Sequence, residues 1–280
     1  MIALVTDSNA QLPDELRDRY RVRVVPLTIV VDGEDRLEGV DLDPDEFYDR
    51  LSGGAQVSTA APSPGRFAEA YTEAASAGAS EILSIHIGSN TSATVSAAQL
   101  AVGMSPVPVE IVDTGTASFP IACCVWAAAL AIERGADVRA AADAARAVAE
   151  TIGNVFIVGA LDLARRGGRL AADVADEGVP VLALAGGTME VVGQARDVED
   201  AVDAMAASFE QFAGGRPMRV GVGHARAEAI ADELEARLRA RPEVVDLVRY
   251  FVGPSVGAHS GPGTVGAVFF PEELARDARA

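Results

Sequence analysis

The side chains able to do chemistry gather at a few loops. Short hydroxyl and acidic residues stand where apolar runs end: Thr6-Asp7-Ser8 after the first run, Ser58-Thr59 ahead of Pro62-Ser63, Ser89 to Thr94, and Asp113-Thr114. Several hydroxyl-bearing loops thus point towards one rim. Ser92 and Thr94 stand where a helix is expected to begin, and the free N–H groups of a first helical turn favour an anionic head group. The alternative is that Ser92 caps its own helix. The stretch Leu163 to Leu170 reads LARRGGRL and sets Arg165, Arg166 and Arg169 around Gly167-Gly168. Guanidinium groups fork onto carboxylates and phosphates. A helix C-terminus with arginines against its dipole and a glycine cap has the same composition, and Arg169, lying beyond that turn, reads as functional. The stretch GAHSGPG, Gly257 to Gly263, sets His259 in a glycine-dense loop, a composition that allows close backbone approach to a ligand. An imidazole there can donate to a carboxylate or phosphate. His86 lies inside an alternating strand and reads as packed, and His224 follows a strand with nothing paired to it in sequence.

Several familiar catalytic signatures are absent: there is no P-loop, no GxGxxG after the first strand, no HExxH and no paired-cysteine motif. Ser92, His259 and Asp7 could be combined into a Ser-His-Asp triad, but spacing alone supplies no geometry for one. All 23 basic residues are arginine, so lysine nucleophiles and Schiff bases are excluded. With 41 acidic residues the net charge is −18, which argues against a nucleic-acid partner. Cys123 and Cys124 are adjacent in an apolar run; a disulfide between neighbours is strained, zinc would need further ligands, and a core role follows. That run, Phe119 to Ile132, contains Pro120 and is shorter than the roughly 20 residues of a spanning helix. The opening MIALVTDS reads as a strand rather than a basic region followed by an apolar core, so a cytoplasmic protein is expected.

These loops need a scaffold, and the pattern supplies an α/β one with substantially parallel sheet. Strands are predicted over Ile2–Val5, Arg21–Val31, Ile82–Ile87, Val109–Val112, Val155–Val158, Arg219–Val222, Val244–Phe251 and Gly266–Phe270. A hairpin over Val179–Leu184 and Met189–Gln194 flanks Gly186-Gly187. Asp32-Gly33 reads as a turn before an acidic loop. Asp43-Pro44 and Ser63-Pro64 each open a helix, to Leu51 and about Ala77. Further helices are expected over Ala93–Val102, Phe119–Arg134, Val138–Thr151, Val198–Phe212 and Ala227–Arg239. The Phe119 helix is apolar nearly all round and is therefore expected to be sandwiched between layers. A boundary near residue 153 divides the chain into an N-terminal α/β domain, 1–153, and a C-terminal mixed α/β domain, 154–280. Ligands in such folds lie at strand carboxyl ends or between domains.

In their order, these clusters resemble the DegV family, the fatty-acid-binding subunits of bacterial fatty acid kinases. The resemblance spans essentially the whole chain: VTDSNAQLP (Val5–Pro13), VVPLTIVVDG (Val24–Gly33), DEFYDRL (Asp45–Leu51), STAAPSP (Ser58–Pro64), IGSNTSATVSAAQLA (Ile87–Ala101), VDTGTAS (Val112–Ser118), LARRGGRL and AHSGPGTVG (Ala258–Gly266). It implies a two-domain DegV-like fold whose N-terminal sheet is largely parallel with helices on both faces. One long-chain fatty acid lies in a tunnel at the domain interface, and no cofactor and no activity of the protein's own are implied. A separate ATP-dependent kinase then phosphorylates the bound carboxylate. Carried over by position, Thr59, Ser92 and His259 hydrogen-bond the carboxylate and Arg169 supports it. Asp7, Ser8, Thr94 and Gly168 shape the same region, while Arg165, Arg166 and Arg196 meet the kinase; transient contact with a membrane surface fits the same role. Ala60, Ala61 and Ala93 depart from the family pattern, removing a hydroxyl beside Thr59 and a glycine beside Ser92. The competing readings are an enzyme acting on a small anionic substrate at the interdomain cleft and a purely structural or regulatory protein.

Overall fold

The computed structural model describes residues 1–166, 168, 170, 178–185 and 188–276. The chain opens with β1 (Ile2–Asp7), a 3-10 turn (Ser8–Ala10), α1 (Asp14–Tyr20), β2 (Arg23–Val25), β3 (Thr28–Val31) and β4 (Glu34–Leu37). Then come α2 (Pro44–Ser52), β5 (Val57–Ala60), α3 (Pro64–Ser76), β6 (Glu81–His86), α4 (Thr94–Val102), β7 (Val109–Asp113), α5 (Phe119–Glu133) and α6 (Val138–Thr151). The remainder runs β8 (Gly153–Ile157), α7 (Leu161–Arg166), β9 (Val179–Ala185), β10 (Thr188–Ala195), α8 (Val198–Ala213), β11 (Met218–His224), α9 (Glu228–Arg239), β12 (Val244–Phe251), α10 (Pro254–Ser260), β13 (Val265–Pro271) and α11 (Glu273–Arg276).

Three sheets result. The first, β2-β1-β6-β7, is parallel throughout. Its side chains alternate between faces: Ala3, Val5 and Ile82 pack with Phe67 and Tyr71 of α3 and Ala98 of α4, whereas Leu4, Leu83 and Ile85 face α5 and α6. The second, β10-β9-β8-β13-β11-β12, is mixed, and only β11 and β12 run parallel. One of its faces buries Val155, Val220 and Phe269 against Met205 and Phe209 of α8 and Leu234 of α9. The other contributes Val248, Tyr250 and Phe270 to the core around α5. The third sheet, β4-β3-β5, is small and antiparallel.

α5 is sandwiched between the two larger sheets, as its composition predicts, with every residue from Phe119 to Ala131 buried. The Phe119 ring stacks on Tyr250 at 4.0 Å between centroids. It also lies over Gly221, where an added Cβ would stand only 2.0 Å from it, so the strand must be bare at that point. Cys123 and Cys124 are buried and free, and burial raises both thiols, that of Cys124 to about 12.

Two sequence expectations are corrected here. Arg21–Val31 is not one strand: β2 pairs with β1 in the first sheet and β3 belongs to the third. Pro26 and Leu27 lie between them, and proline removes a ladder donor. The acidic stretch after Asp32-Gly33 is β4 rather than a loop, paired with β3 through a two-residue turn in which Asp32 and Gly33 have φ of 53° and 86°, the positive values that such hairpin turns need. Elements absent from the sequence reading, α1, β5, α10 and α11, are short, as is α7, which that reading held open as a helix terminus, and short elements draw their stability from tertiary packing more than from local pattern.

Candidate functional site

A cavity of about 330 Å³ lies where the carboxyl ends of the parallel strands face the second sheet. The segments after β1, β6 and β7 contribute Asn9, Ile87, Ser92, Ala117 and Ser118. Phe156 of β8, Leu184 of β9, Met189 of β10, Tyr250 of β12 and Val268 of β13 supply apolar wall. Thr59 of β5 with Ala60 and Ala61, and Val256, His259 and Ser260 of α10, close the remaining sides. The described lining residues include no Asp, Glu or Arg. An anionic ligand would therefore meet hydroxyls, amides and an imidazole rather than a formal charge of either sign.

Thr59, Ser92 and His259, which lie far apart in sequence, all line this one cavity and are all partly buried. Ser92 Oγ accepts the Thr94 N–H at 3.3 Å and lies 2.8 Å from Thr94 Oγ1, and the residue lines the cavity. Thr94 is fully buried behind it. Ala93, at the N-cap position, offers no side-chain acceptor.

Asp7 and Ser8 stand behind the lining rather than in it. Asp7 accepts the N–H groups of Asn9 at 3.1 Å and Ile87 at 3.0 Å, two residues that do line the cavity. Ser8 Oγ accepts the Leu27 N–H at 2.9 Å and donates to Glu38 at 2.5 Å.

Arg165 and Arg166 form the end of α7 and do not line the cavity. Arg165 pairs with Asp162 at 3.2 Å, and Gly168, with φ 67° and its N–H on Arg165 O at 3.0 Å, turns the chain there. That is the helix-terminus arrangement. Arg196 is 85% exposed and pairs with Asp200 at 3.0 Å. Arg169 lies outside the described residues, as do Gly167, Gly186 and Gly187.

The glycine-dense loop expected around His259 is instead helix α10. Pro254 occupies its first turn, and the Gly257 and Gly261 N–H groups bond the carbonyls of Gly253 and Gly257, each at 2.8 Å. Gly257 serves packing rather than ligand approach: a Cβ there would lie 2.2 Å from the hydroxyl of Tyr48 on α2, which donates to Val252 O at 2.6 Å.

The sequence reading also missed Asn9 and Ser118 as cavity residues. Asn9 Oδ1 accepts the Ser118 N–H at 2.8 Å, and Ser118 has φ 65°, a strained conformation that persists only where the surroundings over-determine it. The motif TDSNAQLP marked this region, but nothing local separates Asn9 from its neighbours.

The triad Ser92, His259 and Asp7 does not form, because Asp7 Oδ2 is 3.0 Å from His86 Nδ1. A different Ser-His-Asp chain exists: His86 Nε2 is 2.6 Å from Ser84 Oγ, which is 2.9 Å from the Tyr71 hydroxyl. Asp7, Ser84 and His86 are 0% exposed and none lines the cavity. The edge of Phe67 covers the imidazole at 5.0 Å, and burial pushes the Tyr71 hydroxyl up to about 12, opposed by its bond to Ser84. With no route to substrate, these groups hold β1 to β6 and α3. Among the described residues no cluster of three His, Cys, Asp or Glu could hold a metal, and no helix is long and apolar enough to cross a membrane.

Comparison with known proteins agrees with the motifs. The family model described as "Uncharacterised protein, DegV family" matches residues 1–272. A DegV domain-containing protein of Streptomyces coelicolor is 37% identical over 273 residues, covering 95% of this chain and 97% of that one. A Thermus thermophilus DegV-family structure described by its fatty acid binding superposes with a TM-score of 0.89 at 31% identity, covering 96% of this chain and 99% of that one. The Bacillus subtilis DegV structure, described as a fatty acid binding protein, gives 0.83 at 26% identity, covering 96% and 98%. With its residues matched from end to end of the two larger sheets, this chain belongs to the DegV family.

Proposed function

We propose that the protein binds one long-chain fatty acid, its acyl chain in the cavity and its carboxylate at Thr59, Ser92 and His259. The observation that carries this is the meeting of those three polar side chains, from β5, the β6–α4 loop and α10, in a cavity whose apolar wall includes Phe156, Leu184, Met189 and Val268. Each buried methylene contributes about 0.8 kcal/mol, so an apolar wall is what a long acyl chain needs. The carboxylate must be satisfied where the chain ends, because a buried charge without partners is severely penalised. Arg169 supports that charge, as the family motif implies, and the walls come from two domains, 1–153 and 154–280. The protein is a cytoplasmic carrier without catalytic activity of its own or any cofactor. It presents the carboxylate to a separate ATP-dependent fatty acid kinase that docks near Arg165, Arg166 and Arg196, and it exchanges lipid in transient contact with a membrane surface.

Solvent extraction and mass spectrometry of the purified protein are expected to release a fatty acid, and palmitate or oleate is expected to raise Tm, since a ligand bound only by the folded state stabilises it. No extracted lipid together with no thermal shift sinks the proposal. For the kinase step, Arg165→Glu combined with Arg196→Glu is expected to spare palmitate binding and weaken phosphorylation; undiminished phosphorylation removes those arginines from the docking surface.

A further inference from the structure

Glu38, just beyond β4, is a buried carboxyl group, 6% exposed, that lies outside the cavity and makes no ion pair among the described residues. Donors reach both of its oxygens. Ser8 Oγ donates to Oε2 at 2.5 Å, and the Ser255 N–H donates to Oε1 at 2.8 Å, with Gln11 Nε2 at 3.5 Å. Ser255 is in the first turn of α10, the helix that carries His259. Gln11 reinforces the same junction: its Oε1 accepts the Gly253 N–H, and its Nε2 donates to Ser255 Oγ at 3.2 Å, as does Asn9 Nδ2. The backbone there is strained, with Gln11 at φ 52°, so this junction is over-determined. It also excludes bulk, since a Cβ on Gly253 would stand 2.8 Å from Gln11 Oε1 and 2.9 Å from Glu38 Oε1.

Two of the N–H groups that a helix start leaves without intrahelical partners, those of Gly253 and Ser255, are thus taken by side chains from the other end of the chain. α10 is also held by Tyr48, packed on Gly257 and bonded to Val252 O, and at its C-terminal end by the Ala160 N–H and Thr264 Oγ1, which both donate to Ser260 O. Burial pushes the Glu38 carboxyl upward, opposed by hydrogen bonds from Ser8, from the N–H and side chain of Ser255, and from Gln11.

We propose that Glu38 is a positioning residue: by accepting the Ser255 N–H it sets the placement of α10 and so aims His259 at the ligand carboxylate. This rests on the fatty-acid reading above only for what His259 meets; the aim of the imidazole is a property of the unliganded protein. Glu38→Gln keeps the shape, but with the Ser8 hydroxyl donating to one carboxylate oxygen and the Ser255 N–H to the other, its amide sets an NH2 group against one of these two donors.

The imidazole resonances of His259, followed by NMR through a pH titration, are expected to shift in Glu38→Gln while those of His224 stay in place. Palmitate affinity is expected to fall about tenfold, and hexadecanol, which has the chain without the carboxylate, is expected to bind as before. Because Glu38 acts through His259, Glu38→Gln combined with His259→Ala is expected to bind palmitate no more weakly than His259→Ala alone. Unchanged His259 resonances, additive losses in the double variant, or an equal loss for hexadecanol each overturn the proposal. Should Glu38→Gln not fold, Ser8→Ala, at a residue outside the lining, removes a donor to the carboxylate together with the acceptor of the Leu27 N–H; a smaller His259 shift supports the proposal and an unmoved signal overturns it. Wild-type protein that binds neither palmitate nor hexadecanol defeats the fatty-acid reading alone, and the His259 resonances then still decide the role of Glu38.

Discussion

Two clusters of the same residue types serve opposite ends in this molecule. Asp7, Ser84, His86 and Tyr71 form a hydrogen-bonded chain with triad distances, sealed between β1, β6 and α3. Thr59, Ser92 and His259 come from three separate elements and face a common cavity. In the first, the polar atoms satisfy one another, so burial is affordable and the cluster acts as a fastener. In the second, polar atoms converge on space that a ligand can fill. Residue type and even mutual distance do not identify a site; what matters is whether hydrogen-bonding capacity points at protein or at a void.

The comparison breaks most visibly at His86. His86→Ala deletes a packed ring and leaves Asp7 with only the Asn9 and Ile87 N–H groups as partners, so a loss of about 3–5 kcal/mol is expected, the usual cost of emptying a buried ring site, read as a fall in denaturation midpoint. The variant that remains folded should bind palmitate as the wild type does; a specific loss of palmitate affinity at unchanged stability would make the sealed cluster part of the site. On the cavity side the pattern should reverse. On the fatty-acid reading Thr59→Val and Ser92→Ala each remove a hydrogen bond to the ligand carboxylate, worth about 1.5–3 kcal/mol, so calorimetry should show palmitate binding weakened tenfold to a hundredfold, with little change in midpoint for Thr59→Val, whereas Ser92→Ala also loses its bonds to Thr94.

Leu184→Trp sharpens the contrast between the wall and the polar groups. The indole would occupy cavity volume, so the preferred acyl chain should shorten by a few methylenes while the carboxylate contacts persist; a uniform loss across all chain lengths would count against an acyl chain running past β9. The smallest effect is expected at His224, buried but away from the cavity. Burial first, and the Arg249 charge second, lower its pKa, so the fold favours the neutral ring. Its folded pKa lies below the unfolded value of about 6.5, so the associated stability is full above that pH and is lost as pH falls towards the folded pKa. His224→Phe should flatten the dependence of Tm on pH below about 6.5, and an unchanged slope would assign the acid sensitivity elsewhere.

Long and strongly patterned elements were legible in the sequence. The Phe119 helix announced its burial by being apolar on every side, and Asp43-Pro44 announced a helix start that the structure keeps, with Asp43 accepting from the Asp45 and Glu46 N–H groups. Short elements were not: α10 hid behind Gly257 and the flanking Gly253 and Gly261, which look like loop composition although Gly257 answers to the Tyr48 ring, and β4 hid behind its charges. At the site, Thr59, Ser92 and His259 were legible because motif order carried them. Asn9, Ser118 and Ser255 were not, since their placement depends on partners that lie as far apart as the 246 residues separating Asn9 from Ser255.

From the sequence alone came the α/β class, the absence of lysine chemistry and the acidity that disfavours nucleic acid, which depend on composition and local periodicity, and the family resemblance, which rests on the motifs and their order. Which serine, histidine and aspartate would meet was decided only by the tertiary structure. Asp7 could have served either histidine on paper. Parallel pairing of β1 with β6 set it beside His86 and away from His259, because strand register fixes neighbours that no local pattern encodes.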